Sequence, residues 1–209
     1  MNLIEALNWR YATKRMTGAK VPDETINRIL DAARLSASSM GLQPYTILVI
    51  SNEDVKKKLH PASFNQPQVL ESSHLLVFCA WADYGEKEIN EYLAHIAKTR
   101  NMDVAMLDGF KQALMGGVNG KTAEEKFNWA ARQAYIALGT TLAAAALEQV
   151  DANGMEGFIP AQVDEALGLK EKNLRSLAYV AIGYRSAEDQ LQFAAKVRRD
   201  KDKLFQFIN

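Results

Sequence analysis

The sequence predicts an α+β fold, on three observations. Strand-like runs are few, helical segments outnumber them, and the strict alternation of a doubly wound sheet is absent. The chain's 209 residues suffice for one domain with a substantial core and are short for two. No internal repeat, low-complexity tract or linker interrupts residues 1–209, so a single domain is expected.

The elements follow in order. "NLIEALN" (2–8) reads as a short helix with Leu3, Ile4 and Leu7 on one side, and "RYATKR" (10–15) as a basic, mostly non-helical hexapeptide. In "VPDETINRILDAARLS" the spacing of Ile26, Ile29, Leu30 and Ala33 is helical, and Pro22 suits a helix start. "SASSMGLQP" (36–44) reads as the end of that helix, with Gly41 as its left-handed stop. "YTILVI" (45–50), "SSHLLVFCAW" (72–81) and "SLAYVAIGY" (176–184) are three strands; "NEDVKKKLH" is a short amphipathic helix. From Glu86 to Met115 the pattern is helical, in two pieces broken near "RNMD", and "MGGVNGK" is a glycine-rich breaker. Thr122 and Glu125 form a capping box that opens the longest helix, "TAEEKFNWAARQAYIALGTTLAAAALEQ". Its alanines and Gly139 leave little bulk, which suits a central helix or a subunit interface. "NGMEGF" (153–158) reads as a turn, and "IPAQVDEALGL" (159–169) as a short helix between Pro160 and Gly168.

Composition excludes several functions. With 25 basic and 25 acidic residues there is no global positive field to recruit nucleic acid, so any bound anion must be met by a local cluster. Cys79, the single cysteine, rules out an internal disulfide, a dithiol centre and a multi-thiolate metal site; within an apolar run it reads as a buried, inert thiol. His60, His74 and His95 show no ligand spacing, so no metal is expected. "TTLAAAALEQV" is too short, and too soon broken by Glu148, to span a membrane. The N-terminus lacks a signal peptide's apolar region, so the expected location is the cytoplasm. A G-x-G-x-x-G after a strand, a P-loop and a G-x-S-x-G are all missing.

What remains is a set of small clusters. Arg10 and Lys14 flank small residues in "RYATK", and Lys196 and Arg198 alternate in "KVR". In an extended segment the last two face one way and could share one anion, which a guanidinium fork suits; the alternative is two ordinary solvated patches. Gly154 and Gly157 allow close approach of a flat ligand beside a carboxylate, or simply a turn. Ser36, Ser38 and Ser39 offer neutral donors for a phosphate or a ribityl chain. No triad or nucleophile–base pair can be assembled. That fits a flavin enzyme, in which the ring carries the hydride and the protein supplies binding, orientation and electrostatics.

Five separated pieces resemble the nitroreductase family. "RYATKR" resembles its R-x-S-x-[KR] opening, "SASSMGLQPYTILVI" its "SPSS-x-N-x-QPW" loop and strand, and "FNQPQVLESSHLLVFCA" its "FN…ASHVVVFCA" segment. "GMEGFIPAQVDEALGLKEKNLRSLAYVAIGY" resembles "PIEGFD…LGL…VVPVGY", and "KVR" resembles its K-x-R. The pieces span nearly the whole chain in the family's order, and the likeness is greatest to oxygen-insensitive NAD(P)H nitroreductases and flavin reductases. The resemblance implies an α+β sandwich with a mixed or antiparallel sheet, forming a homodimer through the long helix. It implies two FMN sites at the subunit interface, NAD(P)H as reductant and a small-molecule acceptor, with the helical region at 86–120 over the active site.

The resemblance assigns Arg10, Tyr11, Ala12, Thr13 and Lys14 to the FMN site, with Arg10 on the phosphate and Lys14 on the ring's N1/O2 edge. It adds Lys196 and Arg198 on the phosphate and Asn65 near the pyrimidine part of the ring. Met155, Glu156 and Gly157 would lie near N5 and O4, with backbone N–H groups of the last two presented there. Ala37, Ser38 and Ser39 would reach the other subunit's FMN, and Gly41 is also assigned to the site. The sequence departs from the pattern where Gln68, also assigned to the site, replaces a lysine. Gly154 replaces a proline, Gly41 an asparagine, Tyr45 a tryptophan and Ala12 a serine. The implied function is ping-pong hydride transfer from NAD(P)H through FMN to a small aromatic or quinone-like acceptor. The alternative is a flavin-binding carrier or sensor with little turnover, which Gln68 would favour.

Overall fold

The computed structural model describes residues 1–208. At its centre four strands, β1 (Tyr45–Ile50), β2 (His74–Trp81), β3 (Asp151–Met155) and β4 (Leu174–Gly183), form an antiparallel sheet in the order β1-β2-β4-β3. Around it lie α1 (Leu3–Trp9), α2 (Asp23–Arg34), α3 (Glu53–Ala62), α4 (Pro67–Glu71), α5 (Glu86–Arg100), α6 (Asp108–Gly116), α7 (Ala123–Leu147), α8 (Pro160–Leu167) and α9 (Lys201–Leu204).

The central strands are apolar on both sides because helices cover both faces. Successive side chains point to opposite faces of a strand. Leu75, Val77 and Cys79 of β2 therefore join Tyr179 and Ala181 of β4 in one cluster with Leu59 of α3 and Val163 of α8. Leu76 and Phe78 join Val180 and Ile182 in a second, with Ile26 and Ile29 of α2 and Ala137 and Ala145 of α7. The result is a helix–sheet–helix sandwich. Cys79 is fully enclosed, and burial pushes its thiol up to about 12, so it stays protonated and unreactive.

Helix α7 begins as its capping box requires: Glu125 N donates to Thr122 Oγ1 (3.2 Å) and Thr122 N donates to the Glu125 carboxylate (2.8 Å). Its buried face, Ala130, Ala134, Ala137, Thr141 and Ala145, steps by three and four and lets the sheet and α2 come close. A third cluster ties α5 and α6 to α7 through Ile89, Leu93, Leu114, Phe127 and Ala130. The expected break near "RNMD" is real: Asn101 turns left-handed (φ 51) and Asp103 caps a short 3₁₀ turn, Val104–Leu107.

Several expectations need correction. Residues 151–155 form a fourth strand, so "NGM" belongs to the sheet and the turn begins only at Glu156. Gly154 pairs with Val180 and packs against Leu142 and Leu138 of α7. Helix α2 stops at Arg34 without Gly41; that glycine is left-handed (φ 70) in a separate 3₁₀ turn, Ser39–Gly41. The apolar stripe of α1 points outward, leaving Leu3, Ile4 and Leu7 exposed while Ala6 is buried.

Candidate functional site

Segment 10–15 leaves α1 in an extended path and is pinned by two buried carboxylates. Asp189 accepts from Lys14 N (2.6 Å), Arg15 N (3.2 Å) and Leu191 N (3.1 Å). Burial pushes its carboxyl up, but these three N–H groups, with the Tyr11 hydroxyl, outweigh burial and hold it below the ordinary carboxylate range. Asp151, at the start of β3, receives the Arg185 guanidinium in a bidentate pair (Nη2 to Oδ1 at 2.7 Å, Nε to Oδ2 at 3.1 Å) and the Arg185 N–H (2.7 Å). The Thr13 hydroxyl donates to the same carboxylate at 3.3 Å. Arg185 in turn lies over the rings of Trp9 (4.3 Å) and Tyr11 (4.7 Å). The two carboxylates thus bind the N-terminal segment to the stretch that follows β4.

Above this platform is a cavity of about 350 Å³ lined by Trp9, Arg10, Tyr11, Ala12, Lys196 and Arg198, among others. Arg10, Tyr11 and Ala12 of "RYATK" thus share one cavity with Lys196 and Arg198 of "KVR", while Thr13 and Lys14 are not on its wall. Lys196 Nζ donates to the Arg10 carbonyl, and Arg198 donates to the carbonyl of Val197 (2.6 Å). Among the described residues none of Arg10, Lys196 and Arg198 pairs with a carboxylate at bonding distance. Burial, then the charge of Arg198, lowers the pKa of Arg10, while Asp151 acts the other way; burial, then Arg10 and Arg198, lowers that of Lys196. Among the described residues Arg10 Nε is buried without a hydrogen-bond partner; the Tyr11 hydroxyl makes no hydrogen bond of good geometry, but it lies beside Asp189 and Thr13 and interacts with both. Burial, followed by the negative charge of Asp189, pushes that hydroxyl up to about 12, so it remains a donor. Three mutually repelling cations, one of them with a buried and unpartnered Nε, make a receptacle for an anion.

Strand β3 leads from Asp151 beside this cavity to Met155 and the Glu156–Gly157 turn, a run of about 13 Å at 3.3 Å per residue. Phe158 N donates to Glu156 O (2.9 Å), which closes the turn, and Phe158 stacks on Tyr179 with centroids 4.3 Å apart. The turn is held from two sides. Tyr135 of α7 donates to the Glu156 carboxylate at 2.6 Å, and Gln66 Nε2 donates to Gly157 O at 2.6 Å. Among the described residues the Gly157 N–H finds no acceptor. The Gln66 bond sets Asn65, exposed and left-handed (φ 54), close to the turn. Gln68, by contrast, is enclosed, and its amide donates to Gln66 Oε1 (3.2 Å). In this chain it supports the turn through Gln66.

Ala37, Ser38, Ser39 and Gly41 lie outside the cationic cavity, on a separate loop anchored to α7. The hydroxyls of Ser36 and Thr140 are 3.0 Å apart, and Ser39 N donates to Gln133 Oε1 at 2.8 Å. Asp151, Arg185, Asp189, Gln66, Gln133 and Tyr135 were not singled out from sequence. Each acts by holding another residue in place, and no spacing in the sequence marks that role.

Residues 7–184 match the model of the nitroreductase family, and the chain belongs to that family. It is 31% identical, over 99% of its length and 96% of the relative's, to a Staphylococcus epidermidis protein that carries an NAD(P)H nitroreductase name. It is 30% identical to the major NAD(P)H-flavin oxidoreductase of Aliivibrio fischeri, over 87% of each chain. Among solved structures, a chain from Exiguobacterium sibiricum in complex with FMN superposes with a TM-score of 0.84 at 22% identity, over 100% of this chain and 98% of the other.

Proposed function

We propose that this protein is an FMN-dependent NAD(P)H oxidoreductase that works as a homodimer in the cytoplasm, by a ping-pong cycle on a small aromatic or quinone-like acceptor. The observation that carries the reading is the cluster of Arg10, Lys196 and Arg198 around one cavity, none paired with a carboxylate among the described residues, with the Arg10 Nε left as a buried, unused donor. An elongated ligand with a phosphate at one end and a flat, hydrogen-bonding ring at the other fits this cavity joined by β3 to the Glu156–Gly157 turn. Family membership, the flavin oxidoreductase relative and the FMN-complexed neighbour support the same choice of ligand.

Bound FMN would supply the hydride relay between NAD(P)H and the acceptor. The chain's part is to bind and orient it. Arg10, Lys196 and Arg198 would neutralise the phosphate, helped by Tyr11 and the backbone at Ala12 and Thr13. Lys14 would set a positive charge beside ring N1/O2, favouring negative charge there. The free Gly157 N–H, with that of Glu156, would orient the reacting edge next to Met155, and Asn65 would meet the pyrimidine part. Ala37, Ser38, Ser39 and Gly41 would complete the partner's site, with α5 and α6 above.

The purified protein is expected to be yellow and to bleach anaerobically with NADH or NADPH. Colourless protein that cannot be reconstituted with FMN contradicts the proposal. Flavin retained without bleaching would instead point to a carrier.

The dimer draws support from apolar surface left open in one chain. Leu3, Ile4 and Leu7 of α1 and Tyr135 and Ile136 of α7 are exposed, and Phe207 and Ile208 in the tail are 90% and 95% exposed. Apolar groups so exposed mark an interaction surface. Light scattering is expected to give twice the chain mass; a stable, FMN-loaded monomer would rule the dimer out.

A further inference from the structure

The loop anchored to α7 has an uncommon backbone, and a side chain from α5 holds its middle. Met40, Gly41 and Gln43 all have positive φ, at 55°, 70° and 48°. That region is disfavoured for L residues and persists only where the surroundings impose it. The ends of the loop are fixed by Gln133, Thr140 and the bond from Gln43 N to Ser38 Oγ (3.0 Å). The middle is fixed from the opposite side: the Tyr92 hydroxyl donates to the Met40 carbonyl at 2.8 Å. The Tyr92 ring is held edge-on against Phe110 of α6, with centroids 6.5 Å apart.

The same hydroxyl explains Gly41. A Cβ at Gly41 would collide with the Tyr92 oxygen, and the next nearest atom, Tyr92 Cζ, would be in ordinary contact at 3.6 Å. Positive φ alone does not demand glycine, because asparagine tolerates the left-handed region well. Beyond the backbone cost of the left-handed region, the steric obstacle to a side chain's Cβ at this position is one oxygen atom.

We propose that Tyr92 is a positioning residue. Its hydroxyl latches α5 to the loop that completes the partner subunit's cofactor site, and glycine at 41 is the counterpart that the latch requires. Met40, whose carbonyl it grips, directly follows Ser39, so the latch sets how Ala37–Ser39 are presented. The inference rests on the cofactor reading given above for residues 37–39.

Four proteins test it: wild type, Tyr92→Phe, Gly41→Asn and the double variant, each titrated with FMN and followed for FMN release. Tyr92→Phe keeps the ring packing and is expected to release FMN about two- to tenfold faster, the weight of one hydrogen bond, with little change in melting temperature. Gly41→Asn alone is expected to bind FMN at least as weakly, and adding Tyr92→Phe to it is expected to improve binding, a reversal of sign. Release unchanged in Tyr92→Phe, or a double variant no better than Gly41→Asn, overturns the latch. If the wild type binds no FMN, the cofactor reading itself fails. Hydrogen exchange at the Gly41 and Leu42 amides, bonded to Ser38 O and Ser39 O, then still decides: faster exchange in Tyr92→Phe supports the latch and equal exchange refutes it.

Discussion

Replacing Arg198 with alanine is expected to weaken FMN binding by about 10- to 150-fold while leaving the fold intact. The magnitude is that of one charge-assisted hydrogen bond, about 1.5–3 kcal/mol, with each 1.4 kcal/mol worth a factor of ten. Arg198 is exposed and, among the described residues, makes no ion pair and donates only to the neighbouring Val197 carbonyl, so its removal costs little packing. It also relieves repulsion on Arg10 and Lys196, so the ligand-free protein is expected to melt no lower than wild type. Arg198→Lys keeps a point charge but loses the planar fork, and recovers only part of the affinity. Arg199→Ala is the control: the next basic residue is absent from the cavity wall and donates to the Lys203 carbonyl. Flavin fluorescence titration at several salt concentrations reads all three. An unchanged dissociation constant for Arg198→Ala removes Arg198 from the phosphate site.

The contrast between Arg198 and its partners shows what sequence reading reaches. Alternation in "KVR" marks Lys196 and Arg198 as able to share an anion, and the structure sets both on one cavity wall. That Arg10, 186 residues from Lys196, completes the set follows from tertiary structure, and no local spacing carries it. Strands β1, β2 and β4 were legible because β-branched and apolar runs suit a sheet covered on both faces. Strand β3 was not. Its sequence, "DANGM", is poor in strand formers, and it is held at the sheet edge by pairing with β4 and by the ties of Asp151 to Arg185 and Thr13. Tertiary contacts there override propensity. The stripe of α1 was legible as a pattern, but its direction depends on what the neighbouring surface offers, and Ala6 is the side it buries.

The largest effect on stability is expected from Asp151→Ala. Asp151 is buried and satisfies four donors: the Arg185 Nε, Nη2 and N–H, and the Thr13 hydroxyl. Removing one partner of a buried ion pair leaves the other uncompensated, typically at 3–5 kcal/mol. The Arg185 side chain is still 24% exposed and stacked on Trp9 and Tyr11, so water relieves part of that cost and the low end, about 3 kcal/mol, applies. For a chain of this size that lowers the melting temperature by roughly 6–12 °C. The damage is also functional, because the lost carboxylate is what joins the start of β3 to the segment carrying Arg10 and Tyr11. FMN binding is expected to fall as well, even at temperatures where the variant is folded. Asp151→Asn keeps a single accepting oxygen, for either the Thr13 hydroxyl or the Arg185 N–H, and leaves the guanidinium without a counter-charge; it should lie between wild type and alanine. The double variant Asp151→Ala/Arg185→Leu separates the two effects. It removes the orphaned charge and is expected to recover stability, but it leaves Tyr11 without its cationic platform and should not recover FMN affinity. Calorimetry and flavin titration on the same samples test this; a double variant that regains both would show that Asp151 serves the fold alone.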